Sequence, residues 1–145
     1  MRSEMRSEMQ PMAQVLIIDD DPAQLHVREA VLREAGFSVC TTSTAEAALE
    51  LLRDPAITET LGVIVTDHVM PGASGSVFVK ELRRASPQVP VIVVSGLAEA
   101  EEEYSALNVS FLHKPCQPEE LIRQVRAALE KESESAPSKL DLTPS

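Results

Sequence analysis

Residues 15–22 read VLIIDDDP: four apolar side chains, three carboxylates and a proline in immediate succession. The apolar run is branched and unbroken by polar residues, which is how a strand covered on both faces reads. Asp21 then supplies a helix N-cap and Pro22 a first-turn proline. Val27, Val31 and Ala35 follow at four-residue steps until Gly36 stops the helix. A buried strand leading straight into a capped helix is one βα unit.

The pattern recurs along the chain. Further apolar runs are Val39–Cys40 with its neighbours, Val63–Val65, Val91–Val94 and Val109–Leu112. Between them, Ser43–Arg53 reads as a helix with Ser43 and Glu46 as a capping box. Ser76–Arg84 and Ala98–Leu107 are shorter helical candidates. Pro118 opens a last helix with Leu121, Ile122, Val125, Ala128 and Leu129 in one apolar stripe. Five βα units in series predict an α/β three-layer sandwich, a parallel five-stranded sheet with right-handed crossovers. The tandem MRSE at 1–4 and 5–8 builds no structural unit, and ESESAPSKLDLTPS from Glu132 onward is rich in Ser, Pro and charge. The expected organisation is a flexible tail over 1–13, one domain over 14–131 and a second flexible tail over 132–145.

Composition narrows the function. The 145 residues carry 13 Lys+Arg against 23 Asp+Glu, a formal net charge of −10, with no Trp, one Tyr and three Phe. That balance argues against nucleic-acid binding, which needs cations on phosphates and often rings for stacking. It argues equally against a polybasic membrane contact. No apolar run reaches the ~18 residues of a spanning helix. MRSEMRSEMQ is too polar for a secretory signal, so a cytoplasmic protein is expected. Cys40 and Cys116 make no metal-binding spacing and read as reduced packing thiols.

In open parallel sheets, ligands bind beyond the carboxyl ends of the strands. Asp19, Asp20 and Asp21 follow the first run, Asp67 the third, Ser95 the fourth and Lys114 the fifth. Taken singly, each has an ordinary reading: Asp21 as a cap, Asp67 as a turn former, Ser95 in a loop and Lys114 on the surface. Together they bring carboxylates, a hydroxyl and an ammonium to one sheet edge. Crowded carboxylates disfavour one another's ionised state, and a divalent cation such as Mg2+ removes that cost. An ammonium and a hydroxyl donor suit the remaining oxygens of a phosphoryl group. The chemistry suggested is phosphoryl transfer to a carboxylate nucleophile. His26, His68 and His113 read as surface or packing residues.

VLIIDDDP, VIVTDHVMPGASG, VIVVSG and FLHKP resemble the receiver domain of two-component response regulators, over about residues 14–131. The resemblance implies a flavodoxin-like (βα)5 sandwich with strand order 2-1-3-4-5. It implies a phosphoacceptor signalling protein rather than an enzyme, loaded by a histidine kinase or histidine phosphotransfer protein. By the same resemblance, Asp67 is the phosphoacceptor, with Mg2+ (or Mn2+) bound by Asp20, Asp67 and the backbone carbonyl of Val69. Asp19 would hold metal-bound water, Lys114 would pair with the phosphoryl group, and Ser95 and Phe111 would be the switch pair. Signalling is expected through a downstream protein partner, with a homodimer through the last helices. A free-standing regulator, a relay intermediate and a receiver of a hybrid kinase all fit.

Some details depart from the family pattern. Only 19 positions separate Ser95 from Lys114, so the fourth helix should be short or irregular, and it carries Glu99, Glu101, Glu102 and Glu103. Ser95 and Phe111 stand where Thr and Tyr are commoner. Val69 and Leu97 are apolar and are expected to screen an acyl phosphate from water. Gly72 and Gly75 are expected to supply special backbone angles. Two other readings compete: a degenerate receiver acting as a binding module, and a haloacid-dehalogenase-like phosphatase using Asp19, Asp21 and Lys114.

Overall fold

A computed structural model describes residues 14–69, 74–85, 88–96 and 98–142. The expected 1–13 tail, Gly72 and Leu97 lie outside that set. Strands β1 (Gln14–Ile18), β2 (Ser38–Thr42), β3 (Leu61–Asp67), β4 (Val91–Ser95) and β5 (Ser110–His113) form one parallel sheet. Their order is β2-β1-β3-β4-β5, the flavodoxin-like arrangement. Because the chain steps from β1 out to β2 at one edge and then back to the central β3, the strand order reverses between β1 and β3, whose ends flank the switch point.

The period-2 geometry of strands explains the two cores. Leu16, Ile18, Ile64 and Val93 point to one face, where Ala48 of α2 (Ala45–Leu51) and Phe78, Val79 and Leu82 of α4 (Gly75–Ala85) cover them. Val15, Ile17, Val65 and Val94 point to the other, under Leu32 of α1 (Pro22–Glu34) and Leu121 and Val125 of α5 (Pro118–Leu142). Each such fully buried Leu, Ile or Val contributes about 1.5–3 kcal/mol over its exposed state.

Local details correct the sequence reading. In α1 the inward face is not the Val27, Val31, Ala35 stripe: Val27 is 56% exposed, whereas Arg28 and Leu32 are buried. Asp21 does cap α1, accepting from the Ala23 N–H at 3.0 Å. The cap of α2 is Thr44 rather than Ser43, its hydroxyl accepting from the Ala47 N–H at 3.0 Å. One extra turn, α3 (Pro55–Thr58), starts at its own Asp54 cap. The fourth crossover is a 3-10 segment, Ala98–Tyr104, which is the short irregular element expected. Helix α5 runs from Pro118 to Leu142.

One cation fastens the loops around this short crossover. Arg83 donates to the carbonyls of Val89 at 2.7 Å, Leu107 at 2.9 Å and Asn108 at 2.9 Å. It thereby ties the entry to β4 and the entry to β5 to the end of α4.

Candidate functional site

Strand register brings the polar strand ends together. Asp67 pairs in register with Val94, and Ser95 with His113, so Asp67, Ser95 and Lys114 end neighbouring strands. The Lys114 N–H donates to the Ser95 carbonyl at 3.0 Å, extending the ladder one step past β5. The His68 N–H donates to the Val94 carbonyl at 3.1 Å in the same way. The Lys114–Pro115 peptide bond is cis.

Carboxylate oxygens of Asp19, Asp20 and Asp67 all lie within 4.8 Å of one another. Lys114 Nζ lies 3.0 Å from Asp67 Oδ1. Asp19 and Asp67 are buried, while Asp20 is exposed. Ser95 is 2% exposed, and Val69, two residues past Asp67, is 63% exposed. Burial pushes the Asp19 carboxyl above the usual carboxylate range, and the Asp67 charge adds to that. The Asp21 N–H and the Arg28 guanidinium pull the other way. A divalent cation fits this donor set: three hard oxygens converge, and like charges so close are costly without one.

Asp21 takes no part in the cluster. Its side chain caps α1 instead, so the Asp19–Asp21 pair required by the phosphatase reading is not formed. His26 is exposed on α1, and His113 lies at the surface with Nε2 3.1 Å from Glu101 Oε2. His68 is buried as a packing residue.

The pattern of strand ends also hides two participants, Arg28 and Tyr104. Arg28 reaches from α1 to Asp19 Oδ2 at 2.6 Å. Its sequence signal was its place four residues before Leu32 on the inward stripe of α1. Tyr104 is buried at the end of the 3-10 segment, its Oη 2.8 Å from His68 Nδ1 and its ring edge-on to Phe111 at 5.2 Å. Phe111, half-buried, therefore packs outside a second aromatic. Gly75 is needed for close approach and not for its backbone angles. A Cβ there would stand 2.5 Å from Tyr104 Oη and 2.8 Å from the Asp67 carbonyl oxygen.

Comparison with known proteins agrees with this geometry. The response regulator receiver domain family matches residues 15–126. The chain belongs to that family. Among similar proteins, the hydrogenase transcriptional regulatory protein HoxA of Cupriavidus necator is 37% identical over 81% of this chain and 24% of its own length. HoxA of Bradyrhizobium diazoefficiens is 32% identical over 84% of this chain and 26% of its own length. This receiver thus spans about a quarter of the length of these two relatives. The chemotaxis response regulator CheY4 of Vibrio cholerae superposes with a TM-score of 0.73 at 28% identity, covering 81% of this chain and 99% of that one. A CheY-like receiver from Methanospirillum hungatei has the same fold, with a TM-score of 0.78 at 22% identity over 86% and 98% of the two chains. Among the described residues, no helix of this receiver is long and apolar enough to cross a membrane.

Proposed function

We propose that this receiver takes a phosphoryl group onto Asp67 from a phosphohistidine on a histidine kinase or histidine phosphotransfer protein. The observation that carries the reading is the convergence of three carboxylates within 4.8 Å, with Lys114 at 3.0 Å from the central one. Asp20, Asp67 and the backbone carbonyl of Val69 would hold Mg2+, or Mn2+, with Asp19 fixing metal-bound water. When bound, the cation neutralises charge on the transferred phosphoryl group.

A carboxylate oxygen of Asp67 attacks phosphorus and the phosphorus–imidazole bond breaks. The electron pair returns to the donor imidazole, and Asp67 becomes a mixed anhydride. Lys114, released from a bare carboxylate, pairs with a phosphoryl oxygen as a point charge. The Ser95 hydroxyl donates to another. New charge and three acceptor oxygens favour a packing in which Ser95 and then Phe111 shift, biasing the surface around β5. Signalling then passes by contact to a downstream protein in the cytoplasm, with homodimerisation through α5 as one form of that contact.

The groove between α1 and the start of α5, about 700 Å³ and lined by Val27, Val31, Cys116 and Leu121, opens beside Lys114. It supports approach of the donor from that side.

Incubation with acetyl phosphate and Mg2+, followed by intact-mass measurement, tests the reading. One added phosphoryl group is expected, absent without Mg2+ and absent in Asp67→Asn. Failure of the wild-type protein to gain it, with acetyl phosphate and with histidine kinases of its host, would favour a receiver that only binds.

A further inference from the structure

Arg28 is the only lysine or arginine classed as buried among the described residues. It occupies the inward stripe of α1, where an apolar side chain of similar length would serve packing as well. Desolvating a guanidinium costs several kcal/mol, and buried ion pairs are often matched or bettered by apolar replacements. Packing therefore gives no reason for a charge at this position. Its contacts do. Nη1 donates to Asp19 Oδ2 at 2.6 Å and Nη2 to Gln24 Oε1 at 2.9 Å. The other oxygen of Asp19, Oδ1, accepts from the Asp21 N–H at 3.0 Å.

The pocket's charge follows. Three carboxylates, Asp19, Asp20 and Asp67, face two fixed cations, Arg28 and Lys114, so −3 + 2 = −1. A cluster that should attract a divalent ion is already largely neutralised. Arginine cannot escape by losing its proton, and a buried charge is poorly screened by salt.

We propose that Arg28 is an internal counter-cation that sets the Mg2+ affinity of the acidic pocket, holding it weaker than the three carboxylates alone would give. The proposal rests on reading this pocket as the receiver's Mg2+ site. Two effects of removing Arg28 have opposite signs. Loss of positioning at Asp19 would loosen Mg2+, and loss of a nearby positive charge would tighten it. Asp19 keeps its bond from the Asp21 N–H, so its place survives and the charge effect wins. Arg28 thus acts on the site by its charge, offsetting that of Asp19, and not by holding Asp19 in place.

Calorimetric titration of the whole chain with MgCl2, without phosphodonor and at fixed ionic strength, tests this. Arg28→Met and the polar neutral Arg28→Gln should each bind Mg2+ about tenfold more tightly than wild type. Arg28→Lys should stay within about threefold, because the charge remains. Circular dichroism verifies that each variant is folded, and Arg28→Gln keeps a hydrogen-bonding group where Arg28→Met fails to fold. A merely structural role predicts looser binding in every variant, so unchanged or weaker affinity in the neutral variants overturns the proposal. Wild type without detectable Mg2+ binding, beside a neutral variant that gains it, supports the proposal. Binding in none of the proteins removes the Mg2+ site itself, and the proposal with it. Wild-type binding with no tightening in the neutral variants overturns the role of Arg28 alone.

Discussion

Lys114 Nζ and Asp67 Oδ1 lie 3.0 Å apart although their strands, β5 and β3, are separated by β4. The pair exists because the ladder runs one residue past β5, through the Lys114 N–H bond to the Ser95 carbonyl. On the proposed reading of Asp67 as phosphoacceptor, the ammonium would already stand beside the incoming phosphoryl group. Lys114→Met should slow phosphorylation by acetyl phosphate about 10²-fold, the usual loss when one preorganised charge-stabilising donor is removed. Mg2+ binding should survive and tighten, since Lys114 is no ligand and is one of the two cations that offset the pocket's carboxylates. Rates from intact-mass time courses, with Mg2+ affinity measured in parallel, check both halves.

Gly75 separates two effects that usually compete. In an open helix, Gly→Ala gains about 0.5–1 kcal/mol. At Gly75 the new methyl would meet the Asp67 carbonyl oxygen at 2.8 Å and Tyr104 Oη at 2.5 Å. Backbone cannot yield cheaply, so Gly75→Ala should lose about 1–3 kcal/mol, as overpacking does. Gly96→Ala is the control: its Cβ would meet Lys114 Cβ at an ordinary 3.7 Å. Urea midpoints should fall for Gly75→Ala and move by less than about 0.5 kcal/mol equivalent for Gly96→Ala.

Val69 is 63% exposed at the mouth of the site, directly after the buried Asp67–His68 pair. If Asp67 carries the phosphoryl group, an apolar side chain there offers no hydrogen bond to an attacking water. Val69→Asn should shorten the lifetime of the phosphorylated form severalfold while leaving the yield of phosphorylation intact. Equal decay rates for the two proteins in a phosphoryl-release time course would remove this role.

The legible part of the fold was what rests on local pattern. Unbroken apolar runs marked β1, β3 and β4, which are buried on both faces, while the partly exposed edge strands β2 and β5 showed only short apolar stretches. The carboxylates, hydroxyl and ammonium at their ends could be read because strand ends converge in any open parallel sheet. What escaped depends on rotation about an axis or on contacts distant in the chain. Val27 and Arg28 exchanged expected faces because a rotation of one residue, about 100°, turns an apolar stripe outward. Thr44 outcompeted Ser43 as a cap since either hydroxyl has the right chemistry and only backbone angles choose between them. The pairing of His68 with Tyr104 spans 36 positions and needed the 3-10 segment to be seen.

Tyr104 allows the most direct optical test. The chain has one tyrosine and no tryptophan, so phenolate absorbance reports this residue alone. Burial pushes its hydroxyl well above the ordinary phenol range, helped by the negative charges of Glu103 and Asp67. The folded state therefore holds this proton more tightly than the unfolded chain does. Its contribution to stability is complete below the ordinary phenol value of about 10 and is lost as pH rises beyond it, by up to about 1.4 kcal/mol per pH unit. Phenolate should accordingly appear together with loss of far-ultraviolet circular dichroism, not as a separate titration of intact protein. Tyr104→Phe leaves His68 Nδ1 buried without this partner and should cost about 1–3 kcal/mol at neutral pH. It should also flatten the alkaline fall in stability relative to wild type. A reversible phenol titration near pH 10 with the fold intact would show that the ring is not held between His68 and Phe111.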